Sequence, residues 1–377
     1  MNDRTNPTTE PGNTKTITEE DESYTKTTNG PPIAADNTSE NAIVKVLGSI
    51  WNTETDQFTF DLVDLSQHAS LLLTTKRSLL RISAKIFDPL GLLSPFTIQW
   101  KVLFQELCIE RTDWDEQLRG DYLKQWKTLI IELQTLNRVC IPRSFFDYTS
   151  GKLKAAELHC FSDSSEKAYA ASIYVRSIYE DGRIDVKLIA SKTKVTPLKN
   201  QSIPKLELLG ATILVRLAKT VQNALPQKLK TVFWVDSITV LCWIKNLKPW
   251  KQYIMSRVQE ITTPDSWRFC PGNQNPADIP SSGMSASELV SEKRWWNSPE
   301  FLCKEERQWP QEDNSQADNE NAWKELIQNP ATTTHTLISS TQVMKVGVHQ
   351  IIDVNHYQLE ETTTTYCLRS AIYQNIK

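Results

Sequence analysis

Four carboxylates, Asp163, Glu207, Asp236 and Asp278, occupy positions from which a chain can assemble an acidic cluster. Asp163 closes the apolar alternating run Leu158-His159-Cys160-Phe161-Ser162-Asp163. Glu207 lies one turn into the amphipathic stretch Ile203-Pro204-Lys205-Leu206-Glu207-Leu208-Leu209-Gly210-Ala211. Asp236 ends the run Thr231-Val232-Phe233-Trp234-Val235-Asp236, and Asp278 follows Asn275-Pro276-Ala277, a helix-start signal. Acids at strand ends and helix starts converge at one edge of a sheet, where only cations make so much negative charge tolerable. Mg²⁺ takes oxygen ligands and keeps several waters, so a few carboxylates suffice and neither His nor Cys is required. Phosphodiester hydrolysis by two metals needs ions about 3.5–4 Å apart, one beside the attacking water and one beside the leaving oxygen. The set therefore points to a nuclease using two Mg²⁺ ions, with Mn²⁺ able to substitute. Singly, none of these residues is specific. An Asp ending a strand is more often a turn or helix cap, Glu207 alone reads as a solvated helix residue, and Asp278 as a helix N-terminal charge. The ordered set carries the reading.

The elements that must position these acids form an α/β pattern over residues 155–285. Period-two apolar alternation predicts strands at about 157–163, 168–177 and 184–191, with Glu180-Asp181-Gly182 as the hairpin turn. Helical spacing predicts a helix over 203–224, started by Ser202 and Pro204. A strand at 231–236, helices at 237–246 and 249–263, a strand at 267–271 and a short helix from 275 follow. The first and fourth strands can then be neighbours, bringing Asp163 beside Asp236. Gly210 and Ala211, on the Glu207 face of the long helix, let that face approach the sheet. Upstream, Ile43–Gly48 and Asp56–Asp61 read as a short strand pair. Apolar residues at 79, 82 and 86 and patterns over 97–110 and 121–136 make residues 43–150 a mostly helical module, one helix ending at Asp88-Pro89.

Composition narrows the class. The 377 residues carry a formal net charge of -3, so any nucleic-acid contact depends on local patches. Residues 1–42 hold eight acids, three bases and ten Thr with few large apolar side chains, and are expected to be disordered. Seven scattered Cys without a C-x-x-C pair argue for reduced thiols and against a structural zinc site. No apolar run reaches a membrane span and no signal peptide is apparent. The expectation is an intracellular protein, cytoplasmic or nuclear, neither secreted nor membrane-bound. Residues 301–330 read as a linker, rich in acids, Asn and Gln between 309 and 325.

Two stretches resemble the BEL/Pao group of LTR-retrotransposon polyproteins. Phe87-Asp88-Pro89-Leu90-Gly91-Leu92-Leu93-Ser94-Pro95 resembles the connection that follows the reverse-transcriptase palm. Phe161-Ser162-Asp163-Ser164-Ser165-Glu166-Lys167-Ala168-Tyr169, Ser202-Ile203-Pro204-Lys205-Leu206-Glu207-Leu208, Val235-Asp236-Ser237 and Pro271-Gly272-Asn273-Gln274-Asn275-Pro276-Ala277-Asp278 resemble that group's ribonuclease H domain. The resemblance implies an α/β, ribonuclease H-like mixed five-stranded sheet with flanking helices over 151–300. A reverse-transcriptase thumb and connection remnant would occupy 43–150, and residues 331–377 would be a pre-integrase stub. It further implies that Asp163, Glu207, Asp236 and Asp278 are the metal-binding acids of an endoribonuclease. The implied activity is two-metal hydrolysis of the RNA strand of an RNA–DNA hybrid, with other parts of a retroelement polyprotein as further partners. The alternative is a catalytically inactive nucleic-acid-binding or interaction remnant of a decayed or domesticated element.

The departures from that pattern exclude other chemistry. No Asp-Asp dipeptide is present for a polymerase palm, and no Asp-Thr/Ser-Gly for an aspartic protease. Phe269-Cys270 stands where relatives often place a His, and no basic residue lies at Ser281-Ser282-Gly283. Candidate contacts to nucleic acid are Lys192, Lys194 and Lys199 before the Glu207 helix, and Lys248 and Lys251 amid Trp243, Trp250 and Tyr253. The plainer reading of this group is packed aromatics with solvated lysines. His159 shares the strand face of Asp163, and a core role fits it better than a catalytic one.

Overall fold

The computed structural model describes residues 43–46, 49–147, 151–246, 248–261, 264–311 and 320–326. The expected disorder of 1–42 and the stub at 331–377 lie outside the described residues.

The upstream module combines a small sheet with four helices. Strands β1 (Ile43–Val46), β2 (Ser49–Asn52), β3 (Gln57–Phe60) and β4 (Cys140–Pro142) form an antiparallel sheet in that order. The two upstream runs predicted as a pair are therefore separated by β2. The turn after β2 places Asp56 at φ 53°, and Arg143, beyond β4, pairs with the Asp56 carboxylate. Helices α1 (Val63–Leu71), α2 (Lys76–Lys85), α3 (Ser94–Ile109) and α4 (Gly120–Thr135) complete the module. Thr75 caps α2 by accepting from the Ser78 amide at 3.2 Å, while Leu79 and Ile82 are fully buried. The loop after α2 turns on Asp88, which accepts from the Leu92 and Leu93 amides at 2.9 and 2.7 Å.

The larger sheet contains β5 (Leu153–Ser164), β6 (Ala168–Tyr179), β7 (Ile184–Val195), β8 (Lys230–Val235) and β9 (Trp267–Phe269). Its order is β7-β6-β5-β8-β9. The first three strands are antiparallel, β8 runs parallel to β5, and β9 parallel to β8. This is the mixed five-stranded sheet expected from the sequence. Helix α5 (Ile203–Ala224) packs Leu208, Ala211, Leu214 and Val221 against one face. The opposite face, with Phe161, Tyr174 and Trp234, shares a hydrophobic core with Trp100 and Trp126 of the upstream module. That module is thus fused to the sheet. Helices α6 (Ile238–Lys245), α7 (Gln252–Val258), α8 (Asp278–Ser282), α9 (Ala286–Ser291), α10 (Lys293–Asn297) and α11 (Glu320–Trp323) follow.

Residues 301–311, read from composition as the start of a linker, pack onto the sheet instead. Phe301, Leu302 and Trp309 are buried, and Trp309 meets His159 edge-on at 5.1 Å. The Arg176 guanidinium, itself buried, donates to the Leu302 and Lys304 carbonyls at 2.7 and 3.1 Å. Sparse apolar anchors spaced along a polar segment explain why composition hides this docking. No described helix is long and apolar enough to cross a membrane.

Candidate active site

Parallel pairing of β5 with β8 sets Ser162 opposite Val235, so the next residues, Asp163 and Asp236, emerge side by side. Their carboxyl groups are close enough to influence one another directly. Burial pushes both well above the usual carboxylate range, and the Asp236 charge raises Asp163 further. The Ser281 hydroxyl donates to Asp163 Oδ2 and moderates this rise.

Glu207 comes from the first turns of α5. Gly210, one turn on, brings that helix so close that a Cβ there would stand 3.0 Å from the Asp163 carbonyl oxygen. Burial raises the Glu207 carboxyl, a hydrogen bond with Ser237 lowers it, and the Asp163 charge raises it. Ser237 also caps α6, accepting from the Val240 amide at 3.2 Å.

The loop from Pro271 to Ala277 closes over the strand ends. Asn275 Nδ2 donates to the Ser162 carbonyl at 2.9 Å, and a Cβ at Gly272 would lie 3.3 Å from Asp236 Oδ2. Asp278 then opens α8, with its charge felt by both Asp163 and Asp236. Ser282 Oγ donates to Asp278 Oδ1 at 3.2 Å, and Arg294 Nη2 stands 3.6 Å from Asp278 Oδ2.

The structure therefore gathers all four predicted acids into one electrostatic neighbourhood. Among the described residues, no three His, Cys, Asp or Glu side chains form a ready metal cage. The arrangement is a close carboxyl pair, Asp163–Asp236, flanked by Glu207 and Asp278. Its donor set nonetheless fits a hard divalent ion. It is all oxygen, and Asp236 Oδ1 is buried without a hydrogen-bond partner among the described residues.

The predicted lysines are placed differently. Lys192 and Lys194 lie on β7, and Lys199 is exposed in the loop before α5. Lys248 sits over the Trp323 ring at 3.9 Å, while Lys251 donates to the Lys324 carbonyl at 3.0 Å and pairs with Glu325 at 3.5 Å. These last two hold α11 and its following turn. His159 is fully buried and accepts from Trp234 Nε1 at 3.1 Å, which is the core role expected of it.

Ser281, Ser237, Asn275 and Arg294 were not legible as site residues. Ser237 and Asn275 lie inside the motifs already quoted, where short polar residues next to an acid are the available signal. Arg294 brings a cation to Asp278 from α10, although no basic residue occurs at 281–283.

Residues 75–237 match the family model of the Pao retrotransposon-like RNaseH-like domain. This stretch is similar to that family. The match supports a Pao-type retrotransposon polyprotein fragment, and the mixed sheet agrees with it. No curated protein matches the chain. The Pao-type match begins at the cap of α2 and ends immediately after Asp236. It spans three of the four acids, and Asp278 joins them through the loop geometry.

Proposed function

We propose that this domain is a divalent-metal-dependent endoribonuclease that hydrolyses the RNA strand of an RNA–DNA hybrid. The observation that carries the reading is the pair Asp163–Asp236 at adjacent parallel strand ends, flanked by Glu207 and Asp278. Buried carboxyls held this close are costly to ionise without a counter-cation. When bound, paired Mg²⁺ ions polarise the attacking water and offset the charge on the leaving 3′ oxygen.

The chain's own residues prepare the site. Asp163 and Asp236 are the principal ligand candidates, and loading the site displaces protons that burial helps them retain. Ser281 holds Asp163 in one orientation, and Ser237 holds Glu207 from the α6 cap. Arg294 and Ser282 position Asp278 at the rim. The preference for an RNA strand would come from 2′-hydroxyl and minor-groove contacts.

The test is cleavage of a labelled RNA–DNA hybrid by the purified full chain with Mg²⁺ or Mn²⁺, beside Asp236→Asn. Cleavage by the wild type that is lost in the variant supports the reading. A folded protein that binds the hybrid without cutting it assigns the chain to the non-catalytic, nucleic-acid-binding alternative.

A further inference from the structure

A second site lies outside the acid cluster, where the Phe87–Ser94 loop and α3 meet edge strand β7. They form a half-open cavity of about 520 Å³, within the range of small-molecule pockets. Three of its lining side chains carry buried polar atoms without a hydrogen-bond partner among the described residues. These are Trp100 Nε1, Ser191 Oγ and Thr193 Oγ1, on residues no more than 6% exposed. Buried donors and hydroxyls are almost always satisfied, so three orphans around one cavity ask for polar atoms from an occupant.

The rest of the lining defines that occupant. Leu80, Ile86 and Phe87 give one side an apolar wall, and Phe87 is 45% exposed. Lys101 and Lys192 bring cationic side chains to the same cavity. Asp88 also lines it; its carboxylate oxygens accept from the Leu92 and Leu93 amides, and the Lys101 charge acts on it as well as on the cavity. An apolar wall that includes Phe87, hydroxyl and indole donors, and two cations together match a flat ring with a polar edge joined to an anion.

We infer that this cavity binds a nucleotide, its base against the Phe87 side and its phosphate toward Lys101 and Lys192. The source is either a free nucleotide or one unpaired nucleotide of a longer strand. Register favours the strand. Thr193 pairs with Ala170, which pairs with Asp163, so the cavity row sits two strand spacings, about 10 Å, from the acid cluster. The Phe87–Ser94 loop thereby acquires a role that hydrolysis alone does not require.

The experiment is calorimetric titration of the full chain with adenosine 5′-monophosphate and, separately, with a short oligoadenylate. A chelator is present, so that no metal bridges phosphate to the acids and cleavage plays no part. Thr193→Val and Trp100→Phe each remove one donor while keeping shape. Each is expected to weaken binding roughly three- to tenfold, the scale of one hydrogen bond. Ala84→Trp, at the exposed rim, is expected to abolish it while circular dichroism stays unchanged. Weakening with the oligoadenylate as the tighter probe assigns a strand nucleotide, and equal or weaker oligoadenylate binding assigns a free one. Absence of binding by either probe, or affinities unchanged in Thr193→Val and Ala84→Trp, overturns the inference.

Discussion

The Ser281 hydroxyl donates to the Asp163 carboxylate across 118 residues of chain, tying helix α8 to the end of β5. Ser281 is 1% exposed, and its own carbonyl accepts from Ser165 Oγ at 2.7 Å. The hydroxyl stabilises the ionised form of Asp163, whose pKa burial and neighbouring charge push up. Ser281→Ala keeps the backbone contact and removes that stabilisation. Asp163 then ionises at higher pH. On the proposed activity, the rising limb of the pH–rate profile for hybrid cleavage shifts alkaline in Ser281→Ala. An unchanged limb would show that Ser281 has no influence on the acid pair.

The acid pair also makes metal-free stability depend on pH. Asp163, Glu207 and Asp236 all have folded-state pKa values raised above the unfolded ones. Their stabilising contribution is complete below the ordinary carboxylate range and is lost as pH rises through the raised values. In chelator, the Tm is therefore expected to fall from mildly acidic to alkaline pH. Mg²⁺ is expected to restore more of it at alkaline pH, because loading must displace protons. Asp236→Asn removes one charge. It is expected to raise the chelator Tm at alkaline pH, blunt the Mg²⁺ response and cut cleavage by at least about a hundredfold, the scale of one preorganised electrostatic group. A Tm that rises with pH in chelator would contradict this assignment of the shifts.

Much of this was readable from local pattern. The helix predicted over 203–224 coincides with α5, because apolar spacing, Ser202-Pro204 at its start and the absence of Pro beyond its first turn all agree. The close approach of Gly210 to β5 follows from a small residue on the Glu207 face. What the sequence concealed is non-local. Strands β2 and β4 have four and three residues, too few to show a period, and β4 joins β3 from across the module. Ser281 and Arg294 become site residues only because α8 and α10 fold back over the strand ends. The segment around Trp309 is polar in composition and docks through a few anchors that no periodicity reveals.

Gly91 is the junction between the upstream module and the sheet. It has φ +71°, and a Cβ there would lie 2.0 Å from the Ser191 carbonyl oxygen. The Ser191 amide in turn donates to the Leu90 carbonyl at 2.8 Å. Backbone meets backbone, so no flexible side chain can yield. Gly91→Ala combines a left-handed conformation with a direct clash, and is expected to cost at least about 1–3 kcal/mol. Urea denaturation measures it. A midpoint equal to the wild type would mean that the loop is not seated on β7 as described.

Arg176 tests whether residues 301–309 belong to the folded domain. Its guanidinium pairs with Glu157 at 3.1 Å, donates to the Leu302 and Lys304 carbonyls and lies 5.3 Å from the Trp309 ring centroid. Both members of the ion pair are largely buried, at 6% and 14% side-chain exposure. Removing one leaves the other's charge under-compensated, which typically costs about 3–5 kcal/mol. Lys230, which also reaches Glu157 at 3.1 Å, should hold Arg176→Ala to the lower part of that range. The same change frees two carbonyls and uncovers Trp309, so limited proteolysis is expected to cut near residues 302–309 before the sheet unfolds. If Arg176→Ala lowers stability without exposing that segment, the Arg176–Glu157 pair serves the sheet alone and the tail is held by Phe301, Leu302 and Trp309. Proteolysis of Trp309→Ala beside Arg176→Ala separates the two anchors.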